Sequence, residues 1–147
     1  MLSLSVRSVV YIDYMPTREE EIAWAAGLFE GEGTITVTNE RLVVRLVNTD
    51  EAIVRRFAEI VPFGTIYGPY DRQERDGFRR KPIWVWIAAR ESGLDALALM
   101  WPWLSDRRRE RALELTGISF HVFFRVARRL RALPSASRLP PPPAAAA

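Results

Sequence analysis

One stretch of ten residues, Trp24 to Gly33 (WAAGLFEGEG), constrains the fold of this chain more than any other. It begins as an apolar helical pattern and ends in two glutamates that are separated by a glycine. At roughly 100° per residue, an α-helix would place the apolar residues of this region on two nearly opposite faces. The first face carries Ile22, Ala25, Ala26 and Phe29, and the second carries Trp24, Gly27, Leu28 and Gly31. The pattern therefore predicts a helix that is covered on both sides.

The second face contains Gly27 and Gly31, which lie one helical turn apart. Each glycine in a helix interior costs about 1 kcal/mol relative to alanine, so two of them need a compensating contact. Small residues at this spacing let a neighbouring backbone approach closely. The spacing favours a second helix packed against this face.

The two acids, Glu30 and Glu32, flank Gly31 at the point where we expect the helix to end, near Glu30. Gly33 then allows a sharp turn into the alternating residues 34–38, which predict a strand. The two acids could simply be solvent-exposed surface residues there, but the helix dipole disfavours negative charge at a C-terminus by a few tenths of a kcal/mol. Carboxylates are also the ligands that hard divalent cations prefer. The placement favours a metal site over a purely structural one.

Residues 25–33 (AAGLFEGEG) resemble the nine-residue motif of the LAGLIDADG homing endonucleases. The match covers the small residues, the apolar core, both acidic positions and the final glycine. The motif occurs once in this chain, and family members with one motif act as homodimers whose motif helices pack along their small residues. The resemblance therefore implies a dimer interface at Trp24, Gly27 and Gly31.

The rest of the chain predicts the element order of that family, α-β-β-α-β-β-α, in an α+β fold with an antiparallel sheet saddle and helices on one face. A first helix opens after Pro16, with Thr17 as its N-cap and Glu20 at the capping-box spacing. Strands are predicted at 34–38, 42–47, 63–67 and 78–88, and further helices start within residues 48–51, at 92 or 93, at 105 and near 118. Ile35 and Val37 should face inward. In residues 78–88 both sides become apolar, so alternation leaves open which side is core.

The second helix should bury a stripe of Ile53, Phe57 and Ile60. Three further segments resemble recurring parts of the family: residues 47–51 (VNTDE), 64–67 (GTIY) and 101–104 (WPWL), the last followed by a basic helix. The resemblance covers about residues 18–116. We predict one domain over 17–132, a loosely ordered leader over 1–16 that is not a signal peptide, and a disordered proline- and alanine-rich tail over 133–147.

The resemblance implies a site-specific homing endonuclease that hydrolyses phosphodiester bonds of double-stranded DNA with Mg²⁺ or another divalent cation such as Mn²⁺. The second acid of the motif, Glu32, is implied as the metal ligand, and Glu30 as a residue of local structure with a minor share in the site. Asn48 falls where the family often places a polar residue near the attacking water. Arg107 aligns with a basic residue, commonly lysine, that faces the scissile phosphate. Arginine keeps the charge but exchanges a proton poorly, which favours phosphate stabilisation over acid-base catalysis.

The family's outward sheet face lies over the DNA major groove, where side chains reach phosphates and base edges. Outward strand positions and the charged loop therefore supply the candidate DNA contacts: Thr36, Thr38, Arg45, Tyr67, Arg79 and Lys81. An error of one residue in strand register would turn these side chains to the other face. The neighbours of Arg107 on the basic helix are equally explained as a solvated face: Arg108, Arg109 and Arg111.

The composition agrees with a nucleic-acid partner without requiring one. Of the 21 basic residues only Lys81 is lysine, and arginine makes planar contacts with phosphates and guanine edges. A genomic base composition that favours arginine codons explains the same bias. The chain has no cysteine, which agrees with the cytoplasm or another DNA-containing compartment of the host. His121, the only histidine, is expected to be a packed or half-exposed residue rather than a metal ligand. We expect neither a membrane span, which needs roughly 20 apolar residues, nor a small-molecule cofactor.

Two alternatives stay open from the sequence. The first is a catalytically inactive DNA- or RNA-binding protein on the same fold, such as an intron maturase or a transcriptional regulator. Regulators often lose the metal-binding acid, so the presence of Glu32 argues partly against this alternative. The second is a plain α+β interaction module, which the carboxylates and the two apolar helix faces disfavour.

Overall fold

The computed structural model describes residues 15–73 and 77–132. Helix α1 (Arg18–Glu32) leads into a hairpin of β1 (Gly33–Thr38) and β2 (Arg41–Asn48), and then come α2 (Glu51–Ile60), β3 (Thr65–Tyr70) and β4 (Ile83–Ala89). Helix α3 (Glu91–Met100), a short 3₁₀ turn (Trp101–Trp103), α4 (Asp106–Thr116) and α5 (Phe120–Arg131) follow. The predicted element order and the α+β class are confirmed. The predicted leader, as far as residue 14, and the predicted tail lie outside the described residues.

The four strands form one antiparallel sheet in the order β1-β2-β4-β3. Its inner face carries Val44 and Leu46, which lie opposite Ala88 and Trp86 and are buried with them. Helices α1, α2 and α3 pack on this face, as predicted, while α4 lies against β1 and α5 packs on α3. The side of β4 that carries Trp86 therefore faces the core. The sequence alone did not decide between the two sides of this strand.

The ends of α1 follow from local hydrogen bonds. The Thr17 N–H donates to the Glu20 carboxylate at 2.8 Å and the Glu20 N–H to the Thr17 hydroxyl at 3.3 Å, so the predicted capping box is confirmed. At the other end the Gly33 N–H bonds to the Phe29 carbonyl, and α1 runs to Glu32 rather than stopping near Glu30. A Cβ at residue 33 would overlap the Phe29 ring, so glycine is required at this corner.

Three details of the predicted elements were wrong. The buried stripe of α2 includes Val54 in place of Ile53, which is half-buried, although the helix begins at Glu51, within the predicted start. Val37, predicted to face the core, is 42 % exposed near the end of the hairpin. The last strand begins at Ile83 rather than at residue 78, directly after Pro82, which has no N–H to donate to a strand ladder.

The packing of α5 on α3 creates a cavity of about 290 Å³ beside Asp95. Burial raises the pKa of the Asp95 carboxyl above its ordinary value of 3.8, and repulsion from Glu91 raises it further. Because the folded state then binds this proton more tightly than the unfolded chain does, the resulting stability is fully present below pH 3.8 and is lost as the pH rises through the raised pKa.

No helix within the two described ranges has the length and apolar composition that crossing a membrane requires.

We expect Asp95→Asn to raise the unfolding temperature at about pH 7 and to leave it nearly unchanged at about pH 3, because the amide removes a charge that folding disfavours. Thermal unfolding followed by circular dichroism at the two pH values measures this. Glu59→Gln, at an exposed position of α2, is the matched control and should change neither temperature. An Asp95→Asn variant no more stable than the wild type at neutral pH contradicts the expectation.

Candidate functional site

The corner between α1 and β1 presents Glu32 to solvent. Glu32 is the last residue of α1, it is exposed, and its carboxylate has no hydrogen-bond or ion-pair partner among the described residues. It lines an open cavity of about 250 Å³, together with Val47, Asn48, Thr49, Arg72 and Ile83. The structure thus brings together Glu32 and Asn48, two of the residues that the resemblance implies.

The loop between β2 and α2 holds Asn48 in this cavity. The Asn48 Oδ1 accepts a hydrogen bond from the Asp50 N–H at 2.9 Å, and the Asp50 carboxylate accepts one from the Ala52 N–H as the N-cap of α2. The Asn48 amide nitrogen is left without a protein partner among the described residues. The start of α2 therefore fixes Asn48 in position beside Glu32.

Arg72 is a cation in this cavity that the sequence did not single out. Its guanidinium Nε donates to the Lys81 carbonyl at 3.3 Å, which ties the loop after β3 to the residues before β4. Arg72 makes no ion pair with Glu32, so the two opposite charges share the cavity without neutralising each other by contact. No local pattern marks Arg72, because its position depends on how a charged loop folds back.

Glu30 has a different environment from Glu32, although the two are two residues apart. Its carboxylate accepts hydrogen bonds from the Ser105 N–H at 2.6 Å and the Ser105 hydroxyl at 3.0 Å, and it lies 3.8 Å from the Arg108 Nε. The Arg108 Nη2 also donates to the Glu30 carbonyl at 2.9 Å. Ser105 is the N-cap of α4, so Glu30 connects the end of α1 to the start of α4.

These contacts correct the prediction for two arginines of α4. The Arg108 and Arg109 side chains are only 15 % and 30 % exposed, and they are not part of a solvated face. The Arg109 Nε donates to the Leu104 carbonyl at 2.8 Å, and the Arg108 guanidinium lies 5.3 Å from the Phe29 ring centroid. Their partners are remote in sequence or lie at a helix start, so helical periodicity alone could not identify them.

We expect Glu30→Ala to lower the free energy of unfolding by about 2 kcal/mol, because it removes two hydrogen bonds to a charged group and leaves Arg108 partly buried without its carboxylate. Glu32→Ala is the matched control at the same helix end, and it should change stability by less than about 0.5 kcal/mol. Urea unfolding of both variants measures the difference. Equal stability losses in the two variants would contradict the separate environments described here.

Arg107 lines a different cavity from Glu32 and Asn48. It is exposed and lines a second cavity, between α4 and β1. That cavity contains Arg108, Arg111 and residues 33–35, and Glu32 is absent from its lining. The structure therefore does not place Arg107 in the cavity of Glu32, where the resemblance implies a role at the scissile phosphate.

The candidate DNA contacts lie at exposed positions. The pairing of Arg45 with Thr34 and with Ile87 places it on the outer sheet face, away from α1, α2 and α3. The same face carries Thr36, Thr38 and Tyr67, and Arg79 and Lys81 are exposed in the segment before β4. The centre of this face is apolar: Val85, opposite Tyr67 and Val47, is 2 % exposed. Arg41, opposite Thr38, also belongs to this face and was not predicted as a contact.

The predicted interface residues divide into two environments. Gly27 and Gly31 are exposed, and a Cβ built at either position would meet nothing within 4 Å. Trp24 is half-buried, and the Arg56 guanidinium lies over its ring, 4.0 Å from the centroid. The glycine face of α1 is therefore open in the single chain, while Trp24 already has a partner on α2.

The oxygen donors around Glu32 suit a hard divalent cation. Glu32 offers a carboxylate without a protein partner, and Asn48 and Thr49 add neutral oxygens in the same cavity. Mg²⁺ commonly uses one or two carboxylates and completes its shell with water and substrate phosphate. No group of three or more histidine, cysteine, aspartate or glutamate side chains within residues 15–73 and 77–132 could hold a metal alone. A metal at Glu32 would need ligands from outside the single chain.

No family model and no curated protein matches the chain. Among solved structures, two that match are crystal structures of I-CvuI on DNA targets. These neighbours are homing endonucleases. The first, with 2 mM Mg and DNA not cleaved, has 18 % sequence identity and a TM-score of 0.44 over 67 % of this chain. The second, with 2 mM Ca, has 17 % identity and a TM-score of 0.46 over 77 % of this chain and 81 % of the neighbour.

The chain spans 65 % of the length of the first neighbour. At these identities and TM-scores, the two neighbours assign no role to any residue of this chain. The roles of Glu32, Asn48, Arg72 and Arg107 therefore depend on the geometry of this molecule.

Proposed function

We propose that the chain is a homing-type endonuclease that cuts double-stranded DNA as a homodimer with a divalent cation, Mg²⁺ or Mn²⁺. The observation that carries the proposal is Glu32: an exposed carboxylate with no described protein partner, at the end of a motif helix and beside an open cavity. An acid at a helix C-terminus is electrostatically disfavoured, so it needs a cation to compensate it. Glu30 has such a cation in Arg108, whereas Glu32 forms no ion pair among the described residues.

The sheet supports a DNA partner. Its outer face carries hydroxyl groups and arginine on β1 and β2, and an arginine- and lysine-bearing segment leads into β4. Hydroxyl and guanidinium groups contact phosphates and the donor and acceptor edges of bases in the major groove. We assign Thr36, Thr38, Arg45 and Tyr67 to this surface, with Arg79 and Lys81 reaching the backbone beside it.

The open glycine face of α1 supports a homodimer. Gly27 and Gly31 cost about 1 kcal/mol each relative to alanine, and no described residue lies within 4 Å of a Cβ built at either position. Two α1 helices that pack along this face bring two Glu32 carboxylates to one centre, and so add a second carboxylate to the cavity, whose described lining has Glu32 as its acid. Trp24, held by Arg56, borders this interface.

The residues around Glu32 then have distinct tasks. A divalent cation at Glu32 would supply Lewis-acid stabilisation of the phosphate charge. Asn48, fixed through Asp50, positions its free amide to hydrogen-bond a water molecule or a phosphate oxygen. Arg72 adds a permanent positive charge that stabilises the negative charge developing on the phosphate. Glu30 keeps α1 and α4 together and is a positioning residue in this scheme, with at most a minor share as a metal ligand.

The test uses the purified chain, a pool of duplex DNA with a randomised central segment, and Mg²⁺. We expect a subset of duplexes to be cut on both strands, and sequencing of the new ends identifies the target. Omission of the metal should abolish cutting. A chain that enriches a duplex from the pool but cuts none of it would contradict the proposal, and would support the catalytically inactive DNA-binding alternative.

A further inference from the structure

The cavity between α4 and β1 is strongly cationic. It has a volume of about 420 Å³ and is lined by Gly33, Thr34, Ile35, Arg107, Arg108 and Arg111. None of these lining residues is acidic. We refer to these six residues as the α4–β1 cleft. Three guanidinium groups at one cleft, without an acid in its lining, favour an anion there.

The three arginines of the cleft are not equivalent. The Arg108 guanidinium is used within the protein, since it pairs with Glu30 and donates to the Glu30 carbonyl. Arg111 lies 3.5 Å from the Glu114 carboxylate, but both side chains are more than half exposed, and such surface pairs contribute little. Arg107 has no hydrogen-bond or ion-pair partner among the described residues. Arg107 and Arg111 are four residues apart on α4, so they project from the same helix face.

The backbone of β1 adds a donor on the other side of the cleft. Strand β1 is at the edge of the sheet, and Thr38 pairs with Arg41 across a two-residue turn at Asn39 and Glu40. In such a hairpin the closing pair is hydrogen-bonded and the pairs alternate from there. The pairs at Thr36 and Thr34 are therefore hydrogen-bonded to β2, and the Ile35 N–H points to the free edge, towards the cleft.

We propose that the α4–β1 cleft binds one phosphodiester group of the DNA backbone between Arg107 and Arg111, with the Ile35 N–H as a further donor. Guanidinium groups bind phosphate oxygens through paired, charge-assisted hydrogen bonds, and an edge-strand N–H supplies a donor of fixed position. The proposal rests on the proposed function for its DNA partner. It makes Arg107 a clamp on the DNA backbone, separate from the cavity of Glu32, Asn48 and Arg72 where the cut is made.

Inorganic phosphate tests the cleft independently of DNA and of cutting. In ¹⁵N-labelled protein, millimolar phosphate should shift the Ile35 amide resonance in a saturable manner. The double variant Arg107→Ala/Arg111→Ala should lose this shift. Arg55→Ala, an exposed arginine on α2 that pairs with Glu51, is the matched control and should keep it. An Ile35 resonance that does not move, or that moves equally in the double variant, overturns the cleft as an anion site.

The salt dependence of DNA binding tests the identity of the anion. The logarithm of the DNA-binding constant falls linearly with the logarithm of the salt concentration. For duplex DNA, this slope becomes less steep by about 0.9 for each phosphate contact that is removed. Measured by fluorescence anisotropy without divalent metal, the double variant should lose about 1.8, since the homodimer carries two clefts and the two arginines of each cleft share one phosphate. A loss of about 3.6 would mean two separate phosphates at each cleft, and overturns the shared site.

The two proposals fail in different ways. If the double variant binds DNA with the same salt slope as the Arg55→Ala control, the cleft does not bind a DNA phosphate, and the proposed function is unaffected. Phosphate binding at Ile35 without any binding of duplex DNA overturns the DNA partner of the cleft and the proposed function together.

Discussion

Replacing Glu32 by glutamine should abolish DNA cutting and leave DNA binding intact. The amide has nearly the shape of the carboxylate but lacks the charge that a hard cation requires. Loss of the metal removes several kcal/mol of transition-state stabilisation, so we expect the single-turnover rate to fall by at least about 10³-fold. Because the Glu32 side chain is exposed and makes no hydrogen bond or ion pair among the described residues, the variant should fold normally and bind its target with an unchanged Kd.

The control for this experiment is Glu40→Gln. Glu40 is an exposed acid at the tip of the β1–β2 hairpin, far along β1 from the corner at Gly33. The Glu40→Gln variant should cut at the wild-type rate and bind the same duplex as tightly as the wild type does. A Glu32→Gln variant that cuts as fast as the wild type would show that another group holds the metal.

Replacing Gly27 by leucine should prevent dimer formation and, as a consequence, cutting. The added side chain has open space in the single chain, so the monomer fold should be kept. In a two-fold dimer the substitution enters the interface twice, and overpacking of a close contact costs about 1–3 kcal/mol at each site. We expect dimerisation to weaken by at least about 30-fold, measured by sedimentation equilibrium.

The matched control is Ala52→Leu, on the exposed face of α2. It adds a similar apolar side chain at a distance from the glycine face, and the dimer should be unaffected. If Gly27→Leu keeps the dimer mass in solution, α1 does not form the interface, and the pairing of two Glu32 carboxylates is wrong.

The order of the elements was predictable because the signals that define it are local. Thr17 and Glu20 cap α1, Ser105 caps α4, and Gly117 ends α4 in a left-handed conformation at φ 65°. Boundaries were less predictable where two local signals conflict. The glycines at 31 and 33 both allow a helix to end, and only the fit of Gly33 against Phe29 decides that α1 reaches Glu32.

The distinction between the two motif acids was predictable in part, and its cause was not. The sequence favoured Glu32 over Glu30 through the resemblance alone. The physical reason is a contact across 75 residues, in which Ser105 donates twice to the Glu30 carboxylate. No pattern within the motif predicts that contact.

The clustering of the other site residues depends on tertiary structure. Asn48 and Arg72 meet at Glu32 because β2 ends there and because the loop after β3 bonds to the Lys81 carbonyl. Arg107 is excluded from this cavity because α4 lies along the edge of β1. The resemblance implied roles for Glu32, Asn48 and Arg107, but it did not assign them to separate cavities.

The most direct test of the account is to map the cut positions on both strands of the selected duplex after incubation with the purified chain and Mg²⁺. A homodimer with two Glu32 carboxylates at one centre predicts one cut in each strand, staggered and related by two-fold symmetry about the centre of the target. Cuts in one strand only, cuts without that symmetry, or an uncut duplex to which the protein is fully bound would contradict it.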